Sequence, residues 1–165
     1  MVPMTPRKMA HRIRLRKPWQ RYDETVSRDD QRMVAISRAQ ATRVDVPDCL
    51  ADDDGPAGVD RIHRAVYQRQ FHRPSGIELG QRVLLEVGEV VGEIVQIRVN
   101  TFAVSAVDDG HANPSTAGGG SSLRLDLSGR LADHNELEIE LESTLDAEGR
   151  PRLVGGVNLW ILESE

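Results

Sequence analysis

The sequence contains one cysteine, six aromatic residues and no long apolar run, and these shortages exclude several classes of protein. Cys49 has no second cysteine, so a secreted scaffold held together by internal disulfides is excluded. No stretch of about 18 apolar residues could span a membrane, and the basic N-terminus lacks the apolar segment of a secretory signal. A chain of 165 residues can bury a core without a metal or disulfide. We therefore expect a cytoplasmic protein with no membrane partner.

The charges are unevenly distributed, although the formal net charge is only −5. Lys and Arg outnumber Asp and Glu by 11 to 4 in the first 44 residues, and the ratio reverses to 10 to 22 in the remainder. A basic segment raises the question of nucleic acid, but no helix-turn-helix, zinc finger or aromatic RNA-binding motif accompanies it. Arginine alternates with apolar residues in 12–16, as on the solvent face of a strand. We expect no nucleic-acid partner, and the excess of Arg over Lys is typical of a high-GC bacterial genome.

Short stretches with period-two alternation dominate the chain and predict β-strands. The clearest is 137–142, where Leu137, Ile139 and Leu141 alternate with glutamates. Six further stretches alternate similarly or are rich in β-branched residues: 13–15, 44–46, 82–87, 94–99, 123–127 and 157–162. Turn signals rich in Gly, Pro, Asp and Ser separate them. The pattern predicts an all-β protein built as an antiparallel β-sandwich.

Other segments are less regular. Residues 27–42 fit either a helix, by the spacing of Met33, Ile36 and Ala39, or an edge strand, and the sequence leaves both open. Residues 51–60 and 108–122 are rich in Asp, Gly and Ser and predict loops. We expect an N-terminal tail over 1–11 and a single domain over 12–163.

Several polar groups resemble metal or catalytic motifs without completing them. Residues 52–54 lack the alternate spacing and final Glu of a calcium loop, and the five His residues show no zinc spacing. The glycines of 118–120 are not followed by the Lys-Ser/Thr of a phosphate loop. The glutamates of 137–142 lie about 7 Å apart on a solvent face, without the burial that raises a catalytic pKa. We expect no metal, no cofactor and no enzyme activity.

The order of the motifs resembles a known family. Tyr67-x-Arg69-x-Phe71-x-x-Pro74 and the Leu-x-x-x-Asn-x-Leu segment at 131–137 are its most specific signals. Over about residues 12–163 the sequence is similar to the N-terminal sugar-binding jelly-roll domain of glycoside hydrolase family 2, the family of β-galactosidases and β-glucuronidases. The resemblance implies a galactose-binding-domain-like β-sandwich. The catalytic glutamates of that family belong to a separate barrel domain, for which this chain is too short.

The matched residues also have structural interpretations. Tyr67 and Phe71 share one face of a predicted strand and are expected to pack inward. Arg69 lies on the same face, where a guanidinium needs a salt bridge or hydrogen bonds to loop carbonyls. Asp126 and Asn135 are expected to tie turns through backbone hydrogen bonds.

Two functions from different classes follow. The first is a non-catalytic carbohydrate-binding module, in which an aromatic ring stacks on a sugar and polar side chains bind its hydroxyl groups. The core is expected to take Tyr67, Phe71 and Trp160, which leaves the rings of Trp19, Tyr22 and Phe102. The candidate ligand-binding residues, all on or near loops, are Trp19, Asn100, Asp108, Asp109 and His111.

The second function is a structural or protein-interaction domain that keeps the fold without a sugar site. The basic front and acidic remainder would favour charge pairing, including self-association. Docking onto a separately encoded glycoside hydrolase is a further possibility, by analogy with the fused domain of the family. Carbohydrate, a separate hydrolase and a second copy of the chain are thus the partners to test.

Overall fold

The computed structural model describes residues 10–27, 41–48, 61–104, 122–143 and 150–163. These residues form strands and no helix, so no helix in this part of the chain is long and apolar enough to cross a membrane. The strands, in chain order, are β1 Ala10–Arg14, β2 Trp19–Ser27, β3 Thr42–Val44, β4 Arg61–His72, β5 Arg82–Val87, β6 Val90–Val91, β7 Glu93–Val99, β8 Phe102–Ala103, β9 Leu123–Asp126, β10 His134–Glu142, β11 Arg152–Leu153 and β12 Val157–Leu162.

The strands form two main antiparallel sheets. The first has four strands in the order β1-β12-β5-β9, and the second has six in the order β3-β2-β4-β10-β7-β8. A short pair, β11 with β6, forms a third sheet. The predicted all-β sandwich is confirmed, since apolar residues on one face of each main sheet are buried together between them.

The alternation of apolar residues and glutamates in β10 shows which face of the six-stranded sheet is buried. Leu137, Ile139 and Leu141 are fully buried, while the side chains between them face outward. These outward glutamates do not form an unpaired row, because arginines on the neighbouring strands neutralise them: Arg64 pairs with Glu140 at 3.0 Å and also with Glu142. The outer face of the six-stranded sheet is therefore polar and internally paired.

Two turns are tied as the sequence predicts. The Asp126 carboxylate accepts a hydrogen bond from the backbone N–H of Ser128 at 2.8 Å. Asn135 accepts from the N–H of Ala132 at 2.9 Å and donates to its carbonyl at 2.8 Å. Both are local side-chain-to-backbone bonds, and they lie at the two ends of the connection from β9 to β10.

The segment with an undecided structure, 27–42, is described only at its ends. Strand β2 continues to Ser27, and β3 begins at Thr42. The intervening 28–40 lie outside the described residues, as do 51–60 and nearly all of 108–122, the two predicted loops.

Candidate functional site

The most buried polar group lies inside the sandwich. The Arg21 guanidinium contacts Asp48 at 2.8 Å and Asp23 at 2.8 Å, and the Tyr67 hydroxyl donates to the Asp48 carboxylate at 2.6 Å. Burial raises the pKa of Tyr67, and the bond to Asp48 adds to that effect. For Arg21, burial opposes the charge, but the hydrogen bonds and charges of Asp23, Tyr67 and Asp48 outweigh it and raise the pKa.

This buried cluster is a fold determinant. Asp48 is 2% exposed, and its backbone N–H donates to the carbonyl of Leu153 at 2.7 Å. Arg21 also donates to the carbonyl of Pro151 at 3.2 Å. The cluster thus joins β2, β4 and the segments that carry Asp48 and β11, and with so little exposed surface it offers a ligand no access.

The predicted stacking residue Trp19 is a core residue. Its side chain is fully buried, its indole N–H donates to the carbonyl of Leu15 at 2.7 Å, and its ring packs edge-on against Tyr67. A sugar needs an open ring face, and Trp19 has none. The two tryptophans have the opposite of the expected positions. Trp19, expected to be open to a ligand, is buried, and Trp160, expected in the core, faces outward and is only partly buried. Phe71 and Tyr67 do lie in the core, as predicted.

Asn100 closes the turn between β7 and β8. It has a positive φ of 58°, its side-chain amide donates to Asn135 at 3.2 Å, and its side-chain oxygen accepts from the N–H of Glu136 at 2.9 Å. Both ends of the amide are thus used within the fold. Phe102, which follows this turn, is 60% exposed at the sheet edge.

The remaining predicted ligand residues, Asp108, Asp109 and His111, lie outside the described residues. Of the five predicted positions, the structure therefore describes only Trp19 and Asn100. In the described part of the chain, no group of three or more His, Cys, Asp or Glu side chains is placed to hold a metal ion.

A polar cavity lies instead on the six-stranded sheet, where β4 runs past the beginning of β2. Pairing of β2 with β4 begins at Gln20 opposite Gln68, so residues 69–72 pair with β10 alone among the described strands. The resulting depression, which we call the β2–β4 notch, has a volume of about 400 Å³. Its lining residues are Pro18, Trp19, Gln20, Ala41, Arg43, Gln68, Arg69, Gln70 and Glu136.

Strand register places the hydrogen-bonding groups of the notch in rows. Gln20 lies opposite Arg43 on one side and Gln68 on the other, and Gln70 lies opposite Glu136. The three amides, the Arg43 guanidinium and the Glu136 carboxylate provide donors and acceptors in close proximity, whereas the Arg69 side chain lies on the inner face of β4. Gln70 and Glu136 are exposed at the opening.

An aromatic ring stands beside this row. Tyr22 follows Gln20 on the same face of β2, and its hydroxyl donates to the Gln20 side-chain oxygen at 3.1 Å. The ring is partly buried and lies opposite Val66 of β4. Tyr22 thus adjoins the notch without lining it, and amide, charged and aromatic groups near one another are the combination that saccharide sites use.

Sequence reasoning missed the notch because its parts are distant in the chain. The alternation of Gln68 and Gln70 with Tyr67, Arg69 and Phe71 does indicate two outward amides, and this was the available signal. What the alternation could not give was the register that places Gln20 and Glu136 beside them.

The outer face of the four-stranded sheet has a different character. The Trp160 ring lies between two guanidinium groups, with Arg12 at 5.5 Å and Arg124 at 6.0 Å from its centre. Its indole N–H donates to Glu86 at 2.7 Å, and Asn158 donates to the same carboxylate at 3.1 Å. Burial alone would raise the pKa of Glu86, but these bonds together with Arg124 outweigh burial and lower it.

The fold and the site together define a class of protein, a β-sandwich domain with a polar notch at one sheet. Several solved structures with a similar fold are glycoside hydrolases. An FMN-binding β-glucuronidase from Faecalibacterium prausnitzii L2-6 is 23% identical, with a TM-score of 0.60, and the match covers 93% of this chain and 23% of that one. A putative β-galactosidase from Bacteroides fragilis is 16% identical, with a TM-score of 0.59, over 92% of this chain and 23% of the other.

A third example is the Bifidobacterium dentium β-glucuronidase complexed with coumarin-3-O-glucuronide, 15% identical with a TM-score of 0.58, over 98% of this chain and 31% of that one. No protein-family profile and no curated protein matches the sequence. The chain thus spans about a quarter to a third of these enzymes. The predicted resemblance to a glycoside hydrolase family 2 domain is confirmed at the level of fold.

Proposed function

We propose that this chain is a non-catalytic carbohydrate-binding module that holds a saccharide in the β2–β4 notch. The observation that carries the proposal is the row formed by Gln20, Gln68 and Gln70 in a cavity of about 400 Å³. That volume lies in the range of about 300–1,000 Å³ usual for small-molecule sites. Side-chain amides both donate and accept, which suits sugar hydroxyl groups that also do both.

Two further observations support a binding role without catalysis. The carboxylates Glu138, Glu140 and Glu142, which follow Glu136 on the outer face of β10, are bonded to Gln68, Arg64 or Arg98. Glu136, the carboxylate among the described lining residues, is exposed at the notch opening. A glycosidase needs a pair of carboxyl groups flanking one bond, one of them with a raised pKa, and this arrangement does not supply that pair.

The test is a titration of the full chain with methyl glycosides of glucose, galactose and mannose, and with lactose, followed by calorimetry. We expect micromolar to millimolar binding of at least one of them. The Gln70 side chain is exposed and makes no hydrogen bond among the described residues, so Gln70→Ala removes a ligand contact without disturbing the fold. Because a neutral hydrogen bond contributes about 0.5–1.5 kcal/mol, Gln70→Ala should weaken binding by about 2- to 10-fold.

The matched control is Gln96→Ala. Gln96 faces outward from the same sheet, opposite Glu140 on β10 and away from the notch, so its removal should leave the affinity unchanged. Absence of binding to every sugar, with a mass in solution that rises with concentration, would overturn the proposal. It would favour a protein-interaction domain instead, because Trp and Arg, as in the Arg12–Trp160–Arg124 group, are the residues that most often dominate protein interfaces.

A further inference from the structure

Two histidines face each other across neighbouring strands at one end of the six-stranded sheet. His72 is the last residue of β4 and His134 is the first of β10, and the strand register places them directly opposite each other. Both are exposed on the outer face of the sheet, two residues along each strand from the Gln70–Glu136 pair at the opening of the β2–β4 notch. Neither histidine lines the notch itself.

The two imidazole rings are close enough to share one ion. Their centres are 4.5 Å apart, and their planes are inclined at 63°. Histidine nitrogens bind transition metals at about 2.0–2.1 Å, which puts the centres of two rings in neighbouring coordination positions about 4.5–5.2 Å apart. Because both side chains are exposed, rotation of each ring is enough to direct one nitrogen from each at a common ion.

The ring nitrogens are available to an outside ligand. Within the described part of the chain, His72 and His134 contact each other through their rings, and neither imidazole forms a hydrogen bond or an ion pair. The neighbouring Asn135, by contrast, uses both ends of its amide in the turn before β10. Ring packing alone would require no nitrogen in either side chain, so the pair has a capacity for coordination that its packing does not use.

The charges around the pair favour a cation. Glu136 lies two residues from His134 on the same face of β10 and is exposed. Arg73 follows His72 and bonds through its backbone N–H to the carbonyl of Asp133 at 2.9 Å, so strand alternation directs its side chain to the opposite face. Among the described residues no third His, Cys, Asp or Glu side chain is placed to coordinate with the pair, so Glu136 acts through its charge.

We propose that His72 and His134 form a two-ligand site for a divalent transition-metal ion, with water in the remaining coordination positions. Imidazole nitrogen suits copper, nickel and zinc, whereas calcium and magnesium take oxygen ligands, and Cu²⁺ binds most tightly of the first-row divalent ions. Spacing along the chain could not indicate this pair, because its members are distant in sequence and meet only through the register of β4 and β10. The site is independent of the proposed saccharide function, since no saccharide contact enters the argument.

The test is calorimetric titration of the full chain with the chlorides of Cu²⁺, Ni²⁺, Zn²⁺, Ca²⁺ and Mg²⁺. We expect one transition-metal ion per chain, bound most tightly for Cu²⁺, and no binding of Ca²⁺ or Mg²⁺ at the same concentrations. The diamagnetic Zn²⁺ should shift the imidazole NMR signals of His72 and His134 together, with one affinity. The signals of His11, on β1 of the other sheet, should not move.

Variants assign the binding to the two imidazoles. His72→Phe and His134→Phe keep a ring at each position and remove its nitrogens. Each should weaken Cu²⁺ and Zn²⁺ binding by at least about 10-fold, because the remaining imidazole loses the second ligand held beside it. His11→Phe is the matched control, since His11 is exposed and isolated from the pair on the other sheet, and it should leave the affinity unchanged. Urea unfolding without metal checks that each variant is folded, and added Zn²⁺ should stabilise only the chains that keep both imidazoles.

The contrary outcomes are distinct. Unchanged affinity in both phenylalanine variants, or Zn²⁺ shifts confined to other histidines, would overturn the site. Binding of Ca²⁺ and Mg²⁺ as tightly as Zn²⁺ would reveal a general attraction to carboxylates and would contradict coordination by imidazole. One ion per two chains, with a doubled mass in solution, would place the ion between two copies and would rule out a site within one chain.

Discussion

Two carboxylates contact the same arginine at the same distance, but removing one should lower the free energy of unfolding far more than removing the other. Asp48 and Asp23 each lie 2.8 Å from the Arg21 guanidinium, but the Asp48 side chain is 1% exposed and that of Asp23 is 38% exposed. Asp48→Ala leaves the Tyr67 hydroxyl and one Arg21 N–H without an acceptor inside the sandwich. Asp23→Ala removes a partner that water can replace.

The magnitudes follow from burial. Removing one partner of a buried ion pair costs about 3–5 kcal/mol, and because Arg21 keeps Asp23 we expect Asp48→Ala to cost about 3 kcal/mol. An exposed pair contributes about 0–1 kcal/mol, so Asp23→Ala should cost no more than about 1 kcal/mol. For a chain of this size these losses correspond to about 6–12 °C and at most about 4 °C in the Tm.

Equilibrium urea unfolding, monitored by circular dichroism, measures the free energy of unfolding of both aspartate variants. If Asp48→Ala is too unstable to purify, Tyr67→Phe tests the same cluster, because it removes the hydroxyl that donates to Asp48 and accepts from Arg21, at a cost of about 1–3 kcal/mol. Should the two aspartate variants lose equal stability, or should Tyr67→Phe be neutral, burial would not govern the energetics of this cluster and the reasoning would be refuted.

Two other predictions concern stability. Gly92 has φ +94°, and a Cβ there would collide with the carbonyl oxygen of Glu142, whereas Gly129 has φ +70° and a Cβ there would meet nothing within 4 Å. In urea unfolding, Gly92→Ala should therefore lose more free energy of unfolding than Gly129→Ala. Equal losses would contradict the steric argument. The pKa of Glu86 is lowered below its ordinary 4.5, so its contribution to stability is present above about pH 4.5 and is lost as the pH falls further. Glu86→Gln should therefore flatten the fall in the free energy of unfolding below that pH. An unchanged dependence of stability on pH would contradict this prediction.

The fold was predictable where the alternation was strict. In β10 every second residue is apolar, so Leu137, Ile139 and Leu141 could be placed in the core without knowing their neighbours. In β12 nearly every residue is apolar, so the sequence does not show which face is inward, and the expectation of Trp160 in the core is wrong because Val157, Leu159 and Ile161 take the inner face. Trp19 begins β2, a strand whose other residues are mostly polar, so the sequence places it near a loop although it is fully buried.

The site was less predictable because it depends on register. Gln68 and Gln70 are visible as outward residues, but their proximity to Gln20 and Glu136 depends on where β2 and β10 pair with β4. The partners of each arginine are also a tertiary property. From the sequence, Arg69 and Arg21 are both arginines between inward-facing residues, and only the contacts show that Arg21 has two carboxylates and that Arg69 has none among the described residues.

The most direct test of the central claim is NMR observation of the side-chain amides of the full chain during saccharide titration. The amide signals of Gln20, Gln68 and Gln70 should shift together with one affinity, while that of Gln96 stays unchanged. Shifts confined to the Trp160 indole and its neighbours, or no shift at saturating saccharide, would contradict the assignment of the β2–β4 notch as the binding site.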